Sequence, residues 1–291
     1  MQYIEPLFRP PSEARSLILQ ITNGCSYNKC TFCDMYRDPQ KQFRVKPEDE
    51  TLKEIVACSK YPVDRIFLAD GDAMTLSSRR LTTILAAIKQ HLPDVRRVSA
   101  YCLPRNLKNK TVAELSELRT LGLTLVYVGI ESGDDEVLAS VRKGENYHSS
   151  LDALQKLKAA GIKASVMVLN GLGGKRLSQQ HAINSAKLVS AAQPEYLSTL
   201  VLMLPQGDAL MQEGYDGLFK PLSQHELLEE SLLFLENLKL EKTVFRSDHA
   251  SNYLALKGVL GRDKALLIEQ ARTALSASGK THLRPEWARG L

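Results

Sequence analysis

The sequence predicts an α/β protein built on a parallel sheet. Two observations carry this. Short β-rich apolar runs alternate with longer amphipathic runs, and the units recur at about 30 residues, the size of a βαβ block. The boundaries also carry matching cap chemistry. The apolar runs fall at 16–21, 65–69, 98–101, 125–130, 163–169 and 196–204. Helical patterns lie between them, near 46–58, 79–91, 111–121, 149–160 and 178–191. Gly122 and Gly161 follow helical runs, where a left-handed C-cap belongs. Pro47 stands at a helix start.

Six such units account for residues 16 to about 220. Two closures fit: an open doubly wound sheet, or a full or partial barrel. In both, function sits at the carboxyl edge of the strands. The turns after the strands are therefore the places to search. Residues 1–220 form the expected core domain, and 221–291 an extension. That extension reads as a helix at 225–238, an irregular stretch at 242–260, a helix at 262–276 and a loosely ordered tail at 280–291.

Composition excludes several classes. The 291 residues are 44% hydrophobic and 24% charged, as in an ordinary globular chain rather than a disordered one. The apolar stretches 123–130 and 200–204 are far shorter than the roughly 18 residues a membrane span needs. Residues 1–11 lack the apolar centre of a secretory signal, so a cytoplasmic location is expected. The net charge of +5 is spread without a dense basic block, which does not indicate nucleic acid.

The cysteines carry the chemistry. Cys25, Cys30 and Cys33 fall within nine residues, while Cys58 and Cys102 stand alone. The first strand therefore delivers a C-x4-C-x2-C loop to the functional edge. Thiolates are soft ligands that suit iron–sulfur clusters or zinc. A zinc site needs a fourth ligand, and the first histidine is the distant His91. A plant-type [2Fe–2S] site uses the same spacing with a remote fourth cysteine, for which Cys58 is available. Cys58 lies in a helical pattern with Leu52, Ile55 and Val56, where a buried structural thiol is the plainer account. Three readings follow: a cluster with one open iron, a ferredoxin-like electron carrier using Cys58, and a zinc-bearing RNA-binding module.

The triplet, with Phe32 just before its last cysteine, resembles that of the radical S-adenosylmethionine (SAM) enzymes. The usual spacing there is C-x3-C-x2-C, so this chain departs by one residue in the first gap. The resemblance extends over about 16–205. It implies a partial (β/α)6 TIM-like barrel of parallel strands with a C-terminal α-rich extension. It also implies a [4Fe–4S] cluster on Cys25, Cys30 and Cys33, with SAM on the open iron and Phe32 nearby. Reductive cleavage of SAM then yields a 5′-deoxyadenosyl radical that abstracts hydrogen from a substrate. An external reductant such as flavodoxin or ferredoxin is the implied partner. The substrate, expected to be a small molecule, is not readable.

The remaining strand ends take roles from the same resemblance. Asp70-Gly71-Asp72 matches the Gly-Gly-Glu-like turn that approaches the SAM amino group; a capped turn is the alternative. Glu131 matches the ribose-contacting segment, and a salt bridge is the alternative. Lys143, or Arg142, is the candidate for the SAM carboxylate, against a solvated helix-end charge. Asn170 and Gly171 match the adenine turn. Tyr101 and Arg105, after the third strand, are candidates to face the cavity, and Cys102 reads as a packed thiol.

Residues 245–253 gather Arg, Ser, Asp, His, Asn and Tyr between apolar flanks. That suits a substrate lid or proton donor, with His249 and Tyr253 as catalytic candidates; a surface turn is the alternative. Only two cysteines remain beyond the triplet, so no all-cysteine auxiliary cluster is expected. With the first strand near residue 16, no preceding cobalamin domain is expected.

Overall fold

The computed structural model describes residues 1–276 and 283–290. The chain opens with β1 (Leu17–Gln20), β2 (Thr22–Asn23), β3 (Arg44–Val45), α1 (Glu48–Cys58), β4 (Arg65–Ala69) and α2 (Ser78–His91). It continues through β5 (Arg97–Cys102), α3 (Val112–Thr120), β6 (Leu123–Glu131), α4 (Asp135–Ser140), α5 (Tyr147–Ala159) and β7 (Lys163–Asn170). It ends with α6 (Gly174–Ala192), β8 (Tyr196–Val201), α7 (Ala209–Gly214), α8 (Gln224–Asn237), β9 (Val244–Ser247), β10 (Leu256–Val259) and α9 (Lys264–Leu275).

Eight strands form one sheet in the order β1-β4-β5-β6-β7-β8-β9-β10. The pairs β1–β4, β4–β5, β5–β6, β7–β8 and β8–β9 are parallel; β9–β10 is antiparallel. The expected α/β parallel architecture is thus observed. β1 and β10 are edge strands, so among the described residues the sheet does not close on itself. All six expected strands are present. Gly122 and Gly161 have φ of +111° and +72°, the left-handed geometry expected after α3 and α5.

The expectation of an irregular stretch at 242–260 is overturned. Val244–Ser247 and Leu256–Val259 are strands, each four residues long. Phe245 and Ser247 are buried while Arg246 points to solvent, the alternation of a half-buried strand. The run is too short and too polar to stand out in sequence. The tail also differs from expectation. Within its described part, Arg284 donates to the carbonyls of His249, Ala250 and Asn252 at 2.7, 2.9 and 2.6 Å. Residues 280–282 and 291 of that tail lie outside the described residues.

The chain divides into two compact units. The first comprises Met1–Asn28, Cys33–Val128 and Asp152–Ala164. Its central strand β4 buries Ile66, Phe67, Leu68 and Ala69 completely, as a parallel strand covered on both faces must. Helix α2 buries Leu81, Ile84, Leu85 and Ile88 at helical spacing, and Ser77 caps it by accepting from the Arg80 N–H. Phe67, Tyr101 and Tyr127 meet edge to face at 5.1–6.2 Å. Tyr101, a cavity candidate in sequence, belongs to this aromatic packing.

The second unit comprises Lys29–Phe32, Gly129–Leu151 and Ser165–Leu291. Val137, Val141, Leu172, Leu177, Met211, Tyr215 and Phe219 form an apolar cluster in it. No helix among the described residues is long and apolar enough to cross a membrane.

Glu13, fully buried in the first unit, tests the polar side of the fold. Its Oε1 accepts from Arg97 Nη2 at 2.9 Å and from the Tyr127 hydroxyl at 2.5 Å, and its Oε2 accepts from Ser16. Glu13→Ala removes the acceptor shared by the buried Tyr127 and Ser16 hydroxyls and the partly exposed Arg97 guanidinium. It is expected to destabilise the protein by about 2 kcal/mol in urea unfolding.

Candidate functional site

The turn after β4 and the start of the cysteine loop lie in the first unit. Asp70 and Asp72 are both fully buried. Asp70 Oδ2 is ion-paired with Lys41, itself fully buried, and accepts from the Gly24 N–H at 3.3 Å. Lys41 Nζ also donates to the Ile4 carbonyl at 2.9 Å. Asp72 Oδ2 accepts from the Ser26 hydroxyl. Among the described residues, the second oxygens, Asp70 Oδ1 and Asp72 Oδ1, make no direct hydrogen bond, with the Tyr36 hydroxyl beside Asp70 and the Asn106 side chain beside Asp72 as the neighbouring polar groups. Burial raises both carboxyl groups above the usual range, against the pull of Lys41 on Asp70 and of Ser26 on Asp72.

Gly71 between them has a local reason to be glycine. A Cβ there would lie 2.4 Å from the Tyr36 ring. The Tyr36 ring closely approaches this glycine. Burial, and then the charge of Asp70, raise the Tyr36 phenol well above its ordinary value. Farther along the loop, Asn28 has φ +42° and donates to the Tyr36 carbonyl at 2.8 Å. The Arg105 guanidinium stacks 3.8 Å over the Tyr27 ring, so this cavity candidate packs on the cysteine loop.

In the second unit, the loop residues Thr31 and Phe32 are held differently. The Thr31 N–H donates to the Val141 carbonyl at 3.0 Å, and Phe32 packs against the apolar cluster. Lys143 Nζ lies 5.8 Å from the Phe32 ring centre and 3.0 Å from Glu131 Oε1. Glu131 and Lys143, expected to serve different ends of SAM, are thus each other's partners, and both are buried. Glu131 has φ +63°, uncommon for a residue with a side chain.

The turn after β7 shows a feature that sequence reasoning missed. Gly171 has φ +85°, and its N–H donates to Glu230 Oε1 at 2.6 Å. Glu230, buried on α8, also accepts from Ser178 at 2.6 Å. His181 Nε2 stands 3.9 Å from Glu230 Oε1, and His181 Nδ1 shares a 2.8 Å hydrogen bond with Ser132. One buried chain of polar contacts therefore links the turn after β6 to the turn after β7. The available signal was an acid on the apolar stripe of α8, among Leu227, Leu228, Phe234 and Leu235. Asn170 donates to Ser231 at 2.8 Å.

Asn170 and Tyr253 line one small cavity of about 20 Å³ with Ser247 and Asn252. That is room for a single water. The Tyr253 hydroxyl pairs with Glu286, and Arg289 lies 3.9 Å over the Tyr253 ring. Burial and the Glu286 carboxylate push the Tyr253 phenol up to about 12. His249 Nδ1 accepts from the Ser251 N–H at 3.1 Å and pairs with the Ser251 hydroxyl at 2.9 Å.

Cys25, Cys30 and Cys33 are half-buried, whereas Cys58 and Cys102 are buried; none forms a disulfide. Cys58 lies against Met1, with its thiol 3.8 Å from the Met1 sulfur. Among the described residues, no three Cys, His, Asp or Glu side chains are gathered around a common metal position.

The radical SAM superfamily profile matches residues 19–189, more than half of the chain. The chain therefore belongs to the radical SAM superfamily, a family of enzymes. It is 23% identical over 235 residues to a protein of Methanocaldococcus jannaschii provisionally named a methylthiotransferase, covering 72% of this chain and 50% of that one. It is 24% identical over 210 residues to a tRNA uridine(34) acetyltransferase of Methanocaldococcus infernus, covering 66% and 38%. The chain spans half or less of the length of these relatives. Coproporphyrinogen III oxidase of Escherichia coli, a radical SAM enzyme, shares the fold at TM-score 0.57 and 19% identity, over 76% of this chain and 52% of that one. The methyltransferase TsrM of Kitasatospora setae, solved with cobalamin and a [4Fe–4S] cluster, shares it at TM-score 0.53 and 18% identity, over 65% and 37%.

Two tests follow from these contacts. Glu230→Ala leaves the buried Gly171 N–H without its acceptor and frees the half-buried Ser178 hydroxyl, and is expected to cost about 2 kcal/mol in thermal unfolding. His249 is lowered below its ordinary value by burial, then by the Arg284 charge. Its neutral ring is the folded form, so its contribution is complete above about pH 6.5 and is lost as the pH falls through the folded value. Protection of the Ser251 amide, corrected for intrinsic exchange, should therefore fall on acidification in the parent protein. In His249→Ala that pH dependence should vanish.

Proposed function

We propose that this chain is a radical SAM enzyme using one [4Fe–4S] cluster and SAM to abstract hydrogen from a small-molecule substrate. One observation carries the reading. Among the described residues, Asp70 and Asp72 each keep a buried carboxylate oxygen that makes no direct hydrogen bond, on either side of Gly71. Family members approach the SAM amino group at this turn. An amino group, which offers N–H donors, is a ligand that two buried carboxylate acceptors favour.

Cys25, Cys30 and Cys33 would hold the cluster. Their chemistry fits: three thiols in one loop, half-buried and outside any disulfide. Cluster and SAM, when bound, supply the radical chemistry. The chain's own residues bind, orient and exclude water. Lys143 holds the Glu131 carboxylate through Oε1, which leaves Oε2 to accept from a sugar diol. Glu230 holds the Gly171 N–H and so fixes the turn assigned to the adenine. Residues 221–291 would form a substrate-closing extension, with Arg284 and Arg289 fixing the segment that carries His249 and Tyr253. The reading includes a cytoplasmic location, where thiols stay reduced, and a flavodoxin or ferredoxin as reductant.

The alternative with Cys58 as fourth ligand gains nothing from this thiol, which is packed under Met1 and only 3% exposed. Anaerobic reconstitution with iron and sulfide, followed by EPR with and without SAM, tests the proposal. A [4Fe–4S] signal that SAM perturbs is expected. A [2Fe–2S] signal, or one indifferent to SAM, overturns it. Cys30→Ala should lose the cluster while Cys58→Ala keeps its iron; loss of iron from Cys58→Ala as well favours the electron carrier.

A further inference from the structure

The two aspartates after β4 divide their oxygens in the same way. Each turns Oδ2 toward the cysteine loop and leaves Oδ1 making no direct hydrogen bond among the described residues. The loop atoms they hold flank a single residue. Asp70 takes the Gly24 N–H, one position before Cys25, and Asp72 takes the Ser26 hydroxyl, one position after it.

We propose that Asp70 and Asp72 are positioning residues for Cys25, gripping the loop on both sides of that thiol. The inference rests on the reading that Cys25 is a cluster ligand, and adds a second duty to residues so far assigned only to SAM.

The surroundings make the grip firm. The Asp70 N–H donates to Thr22 Oγ1 at 3.1 Å, and the Ile21 N–H to the Ala69 carbonyl at 2.7 Å, so turn and strand are fastened together. Gly24 has φ +69°, and a Cβ there would fall 2.0 Å from the Lys41 carbonyl oxygen. The loop entry therefore admits only glycine. Lys41 supplies the charge that keeps Asp70 an acceptor in a dry interior. Hydrogen bonds to a charged acceptor are the stronger kind, so two of them restrict a short loop effectively. The longer first gap of this triplet makes such restraint useful, because an added residue gives the first thiol more conformations to lose on binding metal.

The test uses metal-free protein under native conditions, with iodoacetamide alkylation of each cysteine followed by peptide mass spectrometry. Ser26→Ala and Asp72→Ala each remove one grip. Alkylation of Cys25 is expected to rise by about tenfold, while Cys33 keeps its rate. Asp72→Asn retains an acceptor for the Ser26 hydroxyl and should restore the slow rate. Cys58 and Cys102 report on the fold and should stay protected. Equal acceleration of Cys25 and Cys33, or no change at Cys25 in either variant, overturns the proposal. Iron uptake by the parent protein is measured in parallel. Failure of the parent to bind iron sinks the cluster reading and leaves the alkylation result standing by itself.

Discussion

A buried ammonium facing a buried carboxylate organises the first unit. Lys41 and Asp70 are both fully withdrawn from water. Such a pair gives little net stability, because desolvation consumes most of the attraction. Its value is geometric. Removing either partner would leave an isolated charge in the interior, so both must stay where they are. Through Lys41 the pair reaches the Ile4 carbonyl of the N-terminal segment, and through Asp70 it reaches the entrance of the cysteine loop. The neighbouring acid, Asp72, is steadied by the Ser26 hydroxyl, then by Asn106 and the Arg105 charge.

The second unit solves a similar problem with other groups. Glu230 gives one oxygen to the backbone after β7 and the other to Ser178. His181 extends the same network toward Ser132, after β6. Turns at strand ends have few packing partners, and polar side chains from behind the sheet supply the missing restraint. The β6 end adds Glu131 and Lys143, which neutralise each other.

Legibility in the sequence followed the length and regularity of the signal. The six parallel strands and their helices announced themselves by period and by cap residues such as Gly122 and Gly161. The antiparallel pair β2 and β3, two residues per strand, and the four-residue strands β9 and β10 left patterns too short to read. Cys25, Cys30, Cys33 and the Asp70–Asp72 turn were visible because their spacing is local. Glu230 was not, because its contact with Gly171 bridges 59 positions and no spacing rule encodes that. Glu131 and Lys143 were each recognisable as special, but their pairing is a fact of three dimensions.

The Glu131 side chain folds back over its own strand. Its Oε1 occupies the volume that a Cβ at Gly129 would fill, 2.1 Å from that ideal position. A side chain at 129 would therefore have to displace the Glu131 carboxylate, whereas a smaller residue at 131 leaves Gly129 undisturbed. Any larger residue at 129 demands a shorter or redirected side chain at 131, which in turn strips Lys143 of its counter-ion. Among homologues the three positions should therefore drift in concert, 129 with 131 by steric exclusion and 131 with 143 by charge.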